Sequence, residues 1–137
     1  MLIYGVSNPE GVDNENSIYI TKGDVPDIIK QVDEANLRGE PIPVRIEHKG
    51  VDVGKVISAW EYRGRIECIL DINENILEGS LGSEFVRQGL TKDLSMGYDV
   101  NIDNSKNNKM RVKNKKLREI SIVKKGYRHG CHIKAKF

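Results

Sequence analysis

A chain of 137 residues is long enough to bury one core, and we expect a single domain over residues 1–137. Its 22 basic and 20 acidic residues leave a net charge of +2, which argues against a general nucleic-acid-binding protein. No apolar run approaches the roughly 18 residues of a membrane-spanning helix, and the first residues lack the pattern of a secretion signal. We therefore expect an intracellular protein with no membrane partner, in which Cys68 and Cys131 are reduced thiols.

The first third of the chain predicts two strands and a helix. Residues 2–6 and 17–21 have strand composition, and a turn-rich segment separates them. The best helix candidate is Asp24–Leu37, because its apolar residues recur at helical spacing. This segment predicts one amphipathic helix packed against a sheet.

After the helix the apolar period changes to two residues, which is typical of strands. Val44, Ile46 and His48 are predicted to share one strand face. The runs 53–62 and Arg65–Ile72 are predicted to form a hairpin across a two-residue Arg-Gly turn.

The second half predicts a short helix within 74–90 and then further strands. Leu94 and Met96 alternate with Ser95, which leaves the serine on the opposite strand face. The remaining predicted strands are 110–112, 117–124 and 130–136. The pattern favours a mainly β chain with a few helices (α+β), folded as a small, mostly antiparallel β-barrel of about seven strands.

A basic segment, 106–118, carries seven Lys and Arg residues and no acid. A like-charged, Asn-rich run of this kind is typical of a solvated hairpin. A binding module that docks onto an acidic protein or nucleic acid through this segment is the less favoured hypothesis.

Three polar residues on different predicted strands are candidates for serine-protease chemistry. A nucleophilic serine needs a neighbouring base and a third group that orients that base. Ser95 would be the nucleophile, His48 the base and Glu119 the orienting acid. Spacing alone leaves open whether the three side chains meet.

The segment 128–132, "RHGCH", offers competing chemistry. His129, Cys131 and His132 are possible metal ligands, but a closed structural site takes four ligands, and a strand would point His132 away from the other two. A metal site and a Cys131 nucleophile are both disfavoured. His129 or His132 in place of Glu119 stays open as an alternative.

Three short blocks in order resemble the prohead proteases of tailed phages. The first runs from His48 to Gly54 and Val56 in the pattern H-x5-G-x-V, the second is "LSMGY" at 94–98, and the third is "EISIV" at 119–123. The third block also resembles the herpesvirus capsid maturation proteases, in which a catalytic His begins a strand that runs into a "G-R-R-x-G-T" turn. The resemblance covers roughly 42–133.

The resemblance implies a role for each matching residue. Ser95 would be the nucleophile, His48 the general base, and Glu119 the third member. The amide of Tyr127 and the side chain of Arg128 would stabilise the oxyanion. Tyr127 departs from the family pattern, since an arginine stands there in the "G-R-R" turn, and a role through its backbone amide survives that change.

The resemblance also implies a function and partners. The chain would be a serine endopeptidase of a virus or bacteriophage that cleaves the scaffold protein, the major capsid protein and itself during procapsid maturation. It would act inside the immature capsid in the host cytoplasm, as a homodimer formed through a helix such as 24–37 or 80–90, without cofactor or metal. The rival hypothesis is a non-enzymatic capsid- or scaffold-binding β-domain that kept the protease fold.

Overall fold

The computed structural model describes residues 1–8, 23–103, 111–126 and 130–137, with the backbone alone at 100–103 and 111–114. Seven strands and two helices lie in this part of the chain. In chain order they are β1 (Leu2–Asn8), α1 (Asp24–Leu37), β2 (Pro43–Ile46), β3 (Lys49–Tyr62), β4 (Arg65–Ile72), α2 (Leu77–Arg87), β5 (Asp93–Asp103), β6 (Arg111–Val123) and β7 (Ile133–Lys136). The predicted strand at 17–21 lies outside the described residues, and so do residues 106–110 of the predicted basic segment.

All seven strands belong to one sheet in the order β5-β6-β2-β3-β4-β1-β7. Neighbouring strands are antiparallel except β2 and β6, which run parallel. The sheet curls until its two ends approach each other, since the Leu94 amide donates to the Cys131 carbonyl (2.8 Å) and the Ile133 amide to the Lys92 carbonyl (2.9 Å). The predicted class, a mainly β chain with a few helices folded as a small, mostly antiparallel barrel of about seven strands, is confirmed, and the barrel takes the form of one curled seven-stranded sheet.

Alternation along β4 places one face of the sheet in the core, as the hairpin prediction required. The buried apolar residues of this strand are Ile66, Cys68, Leu70 and Ile72. Helix α1 covers the same core with one apolar face, formed by Val25, Ile28, Val32 and Ala35. Burying each of the larger side chains stabilises the fold by roughly 1.5–3 kcal/mol. Cys68 and Cys131, both described and both buried, form no disulfide with each other.

Gln31 of α1 completes the hydrogen bonding of β6. Strand β2 has only four residues and pairs with β6 from Ile120 to Ile122, so the preceding part of β6 lacks a strand on that side. The Gln31 side chain donates to the Lys115 carbonyl (2.8 Å) and accepts from the Leu117 amide (2.7 Å). This bridge fixes α1 over the stretch of β6 that leads into the candidate site.

Two strand predictions needed correction. The described parts of the predicted strands 110–112 and 117–124 belong to one continuous strand, β6 (Arg111–Val123), which also includes the lysine-rich residues between them. Lys115 fits inside the fold because its ammonium group pairs with Asp24 at 2.7 Å, which offsets the cost of burying the charge. At the end of the chain, β7 begins only at Ile133 rather than at residue 130.

The short helix predicted within 74–90 is confirmed as α2, which packs onto the sheet through small residues. A side chain at Gly82 would press into Ile46 and Ile122, so the glycine allows the helix to lie close to β2 and β6. Neither helix in the described ranges is both long and apolar enough to cross a membrane.

Candidate functional site

His48 lies in a two-residue turn between β2 and β3, not on the strand face that it was predicted to share with Val44 and Ile46. Strand β2 ends at Ile46, and both Glu47 (φ 52°) and His48 (φ 61°) adopt left-handed backbone conformations. This is the geometry of the tight hairpin turn that normally takes Asn or Gly. The predicted strand position of His48 was wrong because the turn places the histidine beyond the end of β2, where its side chain is 41% exposed.

Three hydrogen bonds hold this turn against β6 and the segment that follows it. The Glu47 amide donates to the Ile122 carbonyl (3.1 Å), and the Glu47 carboxylate accepts from the Lys124 amide (2.7 Å). The His48 amide donates to the Ser121 hydroxyl (2.9 Å). These contacts maintain a backbone conformation that non-glycine residues adopt at a cost.

Ser95 and Glu119 reach the same face of the sheet through the pairing of β5 with β6. Ser95 lies opposite Ser121, and Gly97 lies opposite Glu119. Leu94, the neighbour of Ser95, belongs to the core on the other face, which confirms the predicted alternation. Cross-strand register therefore brings a serine and a carboxylate under the His48 turn.

The structure brings His48, Ser95 and Glu119 into direct contact. Nε2 of His48 lies 2.8 Å from the Ser95 hydroxyl oxygen, and Nδ1 contacts Oε1 of Glu119. Ser95 is 6% exposed and Glu119 is 5% exposed, so the imidazole is the most accessible of the three groups. Each member comes from a different element, namely the β2–β3 turn, β5 and β6.

The Glu119 carboxylate decides which nitrogen of His48 carries the proton. A carboxylate only accepts hydrogen bonds, so Nδ1–H donates to it, and Nε2 of the neutral ring is left to accept the Ser95 proton. The hydrogen bond with Glu119 raises the pKa of His48 above 6.5, partial burial opposes the rise, and the negative charges of Glu119 and Glu47 add to it. The arrangement can take a proton from the serine and stabilise the resulting imidazolium.

Ser121 also belongs to this cluster, although no role was predicted for it from the sequence. Its hydroxyl donates to Oε2 of Glu119 (2.7 Å) while it accepts the His48 amide. The available signal was its position two residues after Glu119, which places both side chains on one strand face.

The predicted oxyanion residues, Tyr127 and Arg128, lie outside the described residues, and so does His129. The segments on either side of them are held by Asp93. Its carboxylate accepts from the Gly126 amide (2.7 Å) and lies 2.8 Å from Nδ1 of His132. His132 therefore contacts Asp93, whereas Glu119 occupies the position next to His48.

Of the segment 128–132, for which competing chemistry was considered, the structure describes residues 130–132. Cys131 is 2% exposed, and its thiol contacts the Ser7 carbonyl at 3.4 Å. No group of three or more possible metal-binding side chains occurs among the residues that the structure describes.

The curled seven-stranded sheet with its two helices is similar in fold to a herpesvirus protease. The chain is similar to the solved structure of the KSHV protease in complex with a hexapeptide phosphonate inhibitor, with a TM-score of 0.58 and 18% sequence identity. The similarity covers 96% of this chain and 63% of that one, and identity this low establishes the fold alone. No protein-family model matches the sequence, and no curated protein matches it.

Proposed function

We propose that this protein is a serine endopeptidase with Ser95 as nucleophile, His48 as general base and Glu119 as the residue that orients His48. The observation that carries the proposal is the 2.8 Å contact between Nε2 of His48 and the Ser95 hydroxyl, made by a ring whose other nitrogen contacts Glu119. The fold shared with the KSHV protease supports the same conclusion.

The geometry leads to an acyl-enzyme mechanism. The Ser95 oxygen attacks the scissile carbonyl carbon as its proton moves to Nε2 of His48, and Glu119 stabilises the imidazolium. His48 then gives the proton to the leaving amine, which releases the first product and leaves an ester on Ser95. Water that loses a proton to His48 hydrolyses this ester. The Tyr127 amide and Arg128, as the family resemblance implies, would stabilise the oxyanion.

Glu119 is well suited to hold one orientation of the imidazole. One carboxylate oxygen contacts Nδ1 of His48, and the other accepts from Ser121. Because both oxygens are engaged and the residue is buried, the carboxylate keeps its orientation while the histidine gains and loses a proton.

The endopeptidase proposal is tested by incubating the concentrated protein with a diverse peptide library and mapping the products by mass spectrometry. We expect internal cuts with the wild-type protein and none with Ser95→Ala. An absence of cuts at every protein concentration would favour the rival hypothesis of a non-enzymatic capsid- or scaffold-binding domain.

We place this activity in capsid maturation, on the strength of the motif resemblance and of a fold shared with a viral protease. The substrates would be the scaffold protein, the major capsid protein and the protease itself, inside the immature capsid in the host cytoplasm. Co-expression with the capsid and scaffold proteins of the same virus is the test. Wild-type protein should shorten them and Ser95→Ala should leave them intact, whereas equal processing by both would contradict the assignment.

The homodimer is proposed to form through α2 rather than α1. Helix α1 uses its apolar face within the core. Helix α2 instead exposes Leu77 (71%), Leu81 (48%) and Phe85 (40%) at intervals of four residues, which forms one apolar stripe. A second copy that packs the same stripe against it would remove this surface from water.

The dimer is tested with a charge in the stripe and a matched change elsewhere. Leu81→Glu should shift sedimentation equilibrium towards the monomer, because the charge would have to be buried at the interface. Leu37→Glu alters a leucine that is 88% exposed at the end of α1 and should leave association unchanged. A wild-type protein that stays monomeric at high concentration would contradict the proposal.

A further inference from the structure

Ser121 occupies the centre of the candidate site. It lies on β6, between the strand that carries Ser95 and the strand that leads into the His48 turn. It is the cross-strand partner of Ser95 on β5 and of Arg45 on β2. Its exposure is 0%, so it has no access to a substrate.

The hydroxyl of Ser121 links the backbone of His48 to the carboxylate of Glu119. A hydroxyl has one proton, and a carboxylate only accepts, so this proton goes to Oε2 of Glu119 (2.7 Å). The oxygen of Ser121 then accepts the His48 amide proton (2.9 Å). Since Oε1 of Glu119 contacts Nδ1 of His48, the hydrogen bonds form a closed ring that begins and ends at His48.

We propose that Ser121 is a positioning residue for catalysis, which acts through both His48 and Glu119. This inference rests on the proposed function of Ser95. The His48 turn has left-handed conformations at two non-glycine residues, so it needs tethers, and Ser121 supplies the tether at His48 itself. The same hydroxyl stops the Glu119 carboxylate from rotating. Nε2 of His48 is thereby held 2.8 Å from the Ser95 oxygen.

The test measures the rate at which a fluorophosphonate labels Ser95 in folded variants. Ser121→Ala should lower this rate by about tenfold, as expected from losing one or two well-formed hydrogen bonds. Ser83→Ala is the matched control, because Ser83 is also 0% exposed and its hydroxyl has no hydrogen-bond partner among the described residues. This control should label at the wild-type rate.

Two further comparisons separate positioning from a general loss of structure. Ser121→Thr keeps the hydroxyl and Ser121→Val has the same shape without it, so Thr should label faster than Val. In a Glu119→Ala background, adding Ser121→Ala should lower the rate by clearly less than tenfold, because the contact with Glu119 is already gone and only the tether to the His48 amide is lost. An equal loss in both backgrounds would overturn the inference.

The outcomes distinguish this inference from the proposed function beneath it. If the wild-type protein is never labelled at Ser95, the proposed function itself is contradicted. If the wild type is labelled and Ser121→Ala is labelled at the same rate, only the proposed role of Ser121 is contradicted. If Ser121→Ala does not fold, the hydrogen-exchange rate of the wild-type His48 amide tests its hydrogen bond to Ser121 instead. Protection of about tenfold or more supports the tether, and exchange at the unprotected rate overturns it.

Discussion

Gly97 and Glu119 lie directly opposite each other on β5 and β6, and the Glu119 carboxylate occupies the space that a side chain at position 97 would fill. A Cβ atom on Gly97 would collide with Oε1, the oxygen that contacts His48. The glycine in the "LSMGY" block is therefore required by a neighbouring side chain. This relationship couples two sequence blocks that are more than twenty residues apart.

Gly97→Ala should strongly lower the activity of the protein while leaving it folded. The added methyl group would displace the Glu119 carboxylate from His48, and losing the orienting acid of a serine triad costs about 100-fold or more in rate. The measurement is the labelling rate of Ser95, with circular dichroism as the check on folding.

Gly39→Ala is the control for this glycine substitution. Gly39 has a φ of 74° with open space around it, so alanine should lower stability through the backbone alone. Its labelling rate should match that of the wild type. If Gly97→Ala is labelled at the same rate as the wild type, the position of the Glu119 carboxylate beside His48 is not needed for activity.

The pH dependence of activity should follow His48. A general base acts in its neutral form, and the contact with Glu119 raises the pKa of His48 above 6.5. We expect the acidic limb of kcat/KM to have its midpoint above pH 6.5. Glu119→Gln removes the negative charge while burial still lowers the pKa, so the midpoint should move down. A midpoint that is the same in both proteins would contradict the pairing.

Stability should depend on pH through the same pair. Because the folded-state pKa of His48 is raised, its contribution to stability is complete below about pH 6.5 and is lost as the pH rises through the folded-state pKa. The difference in urea midpoint between wild type and His48→Ala should therefore be more favourable to the wild type at about pH 5.5 than at about pH 9. A difference that does not vary with pH would rule out this linkage.

Gln31→Ala should destabilise the fold through β6. The substitution removes the hydrogen bonds to the Lys115 carbonyl and the Leu117 amide, at a cost of about 1–3 kcal/mol. Gln88→Ala is the matched control. Among the described residues, the side-chain amide of Gln88 donates to Glu84 on the surface of α2, and the change should stay within about 0.5 kcal/mol. Equal unfolding midpoints for the two variants would show that the bridge contributes nothing.

The Cys68 thiol should be inert in the folded protein. Burial raises its pKa to about 12, against a weaker opposing effect of its hydrogen bond to Ser7. The thiolate is the reactive form, so a thiol-specific reagent at neutral pH should modify Cys68 only after denaturation. Rapid modification of Cys68 in the native protein would contradict its placement in the core.

Periodicity predicted α1 and β4 with correct ends because each segment buries one continuous face. The His48 turn was not predictable in this way. Glu47 and His48 are not typical residues for a left-handed turn, and the contacts that hold them come from Ser121 and Ile122, far along the chain. The periodicity of apolar residues within a short segment carries no information on contacts with such distant residues.

The residues of the candidate site also fall into two groups, those that the sequence predicts and those that only the folded structure reveals. His48, Ser95 and Glu119 could be named because each lies in a short block with a family resemblance. The roles of Gly97 and Ser121 depend on the register of β5 against β6 and on the parallel pairing of β2 with β6. Alternation along single strands does not encode that register, so only the folded chain reveals them.

The most direct measurement is to treat the concentrated protein with a fluorophosphonate and map the adduct by mass spectrometry. We expect one adduct, on Ser95, which His48→Ala abolishes and Glu119→Ala weakens. An adduct on a different residue, or none at concentrations where the dimer should form, would contradict the proposed serine triad.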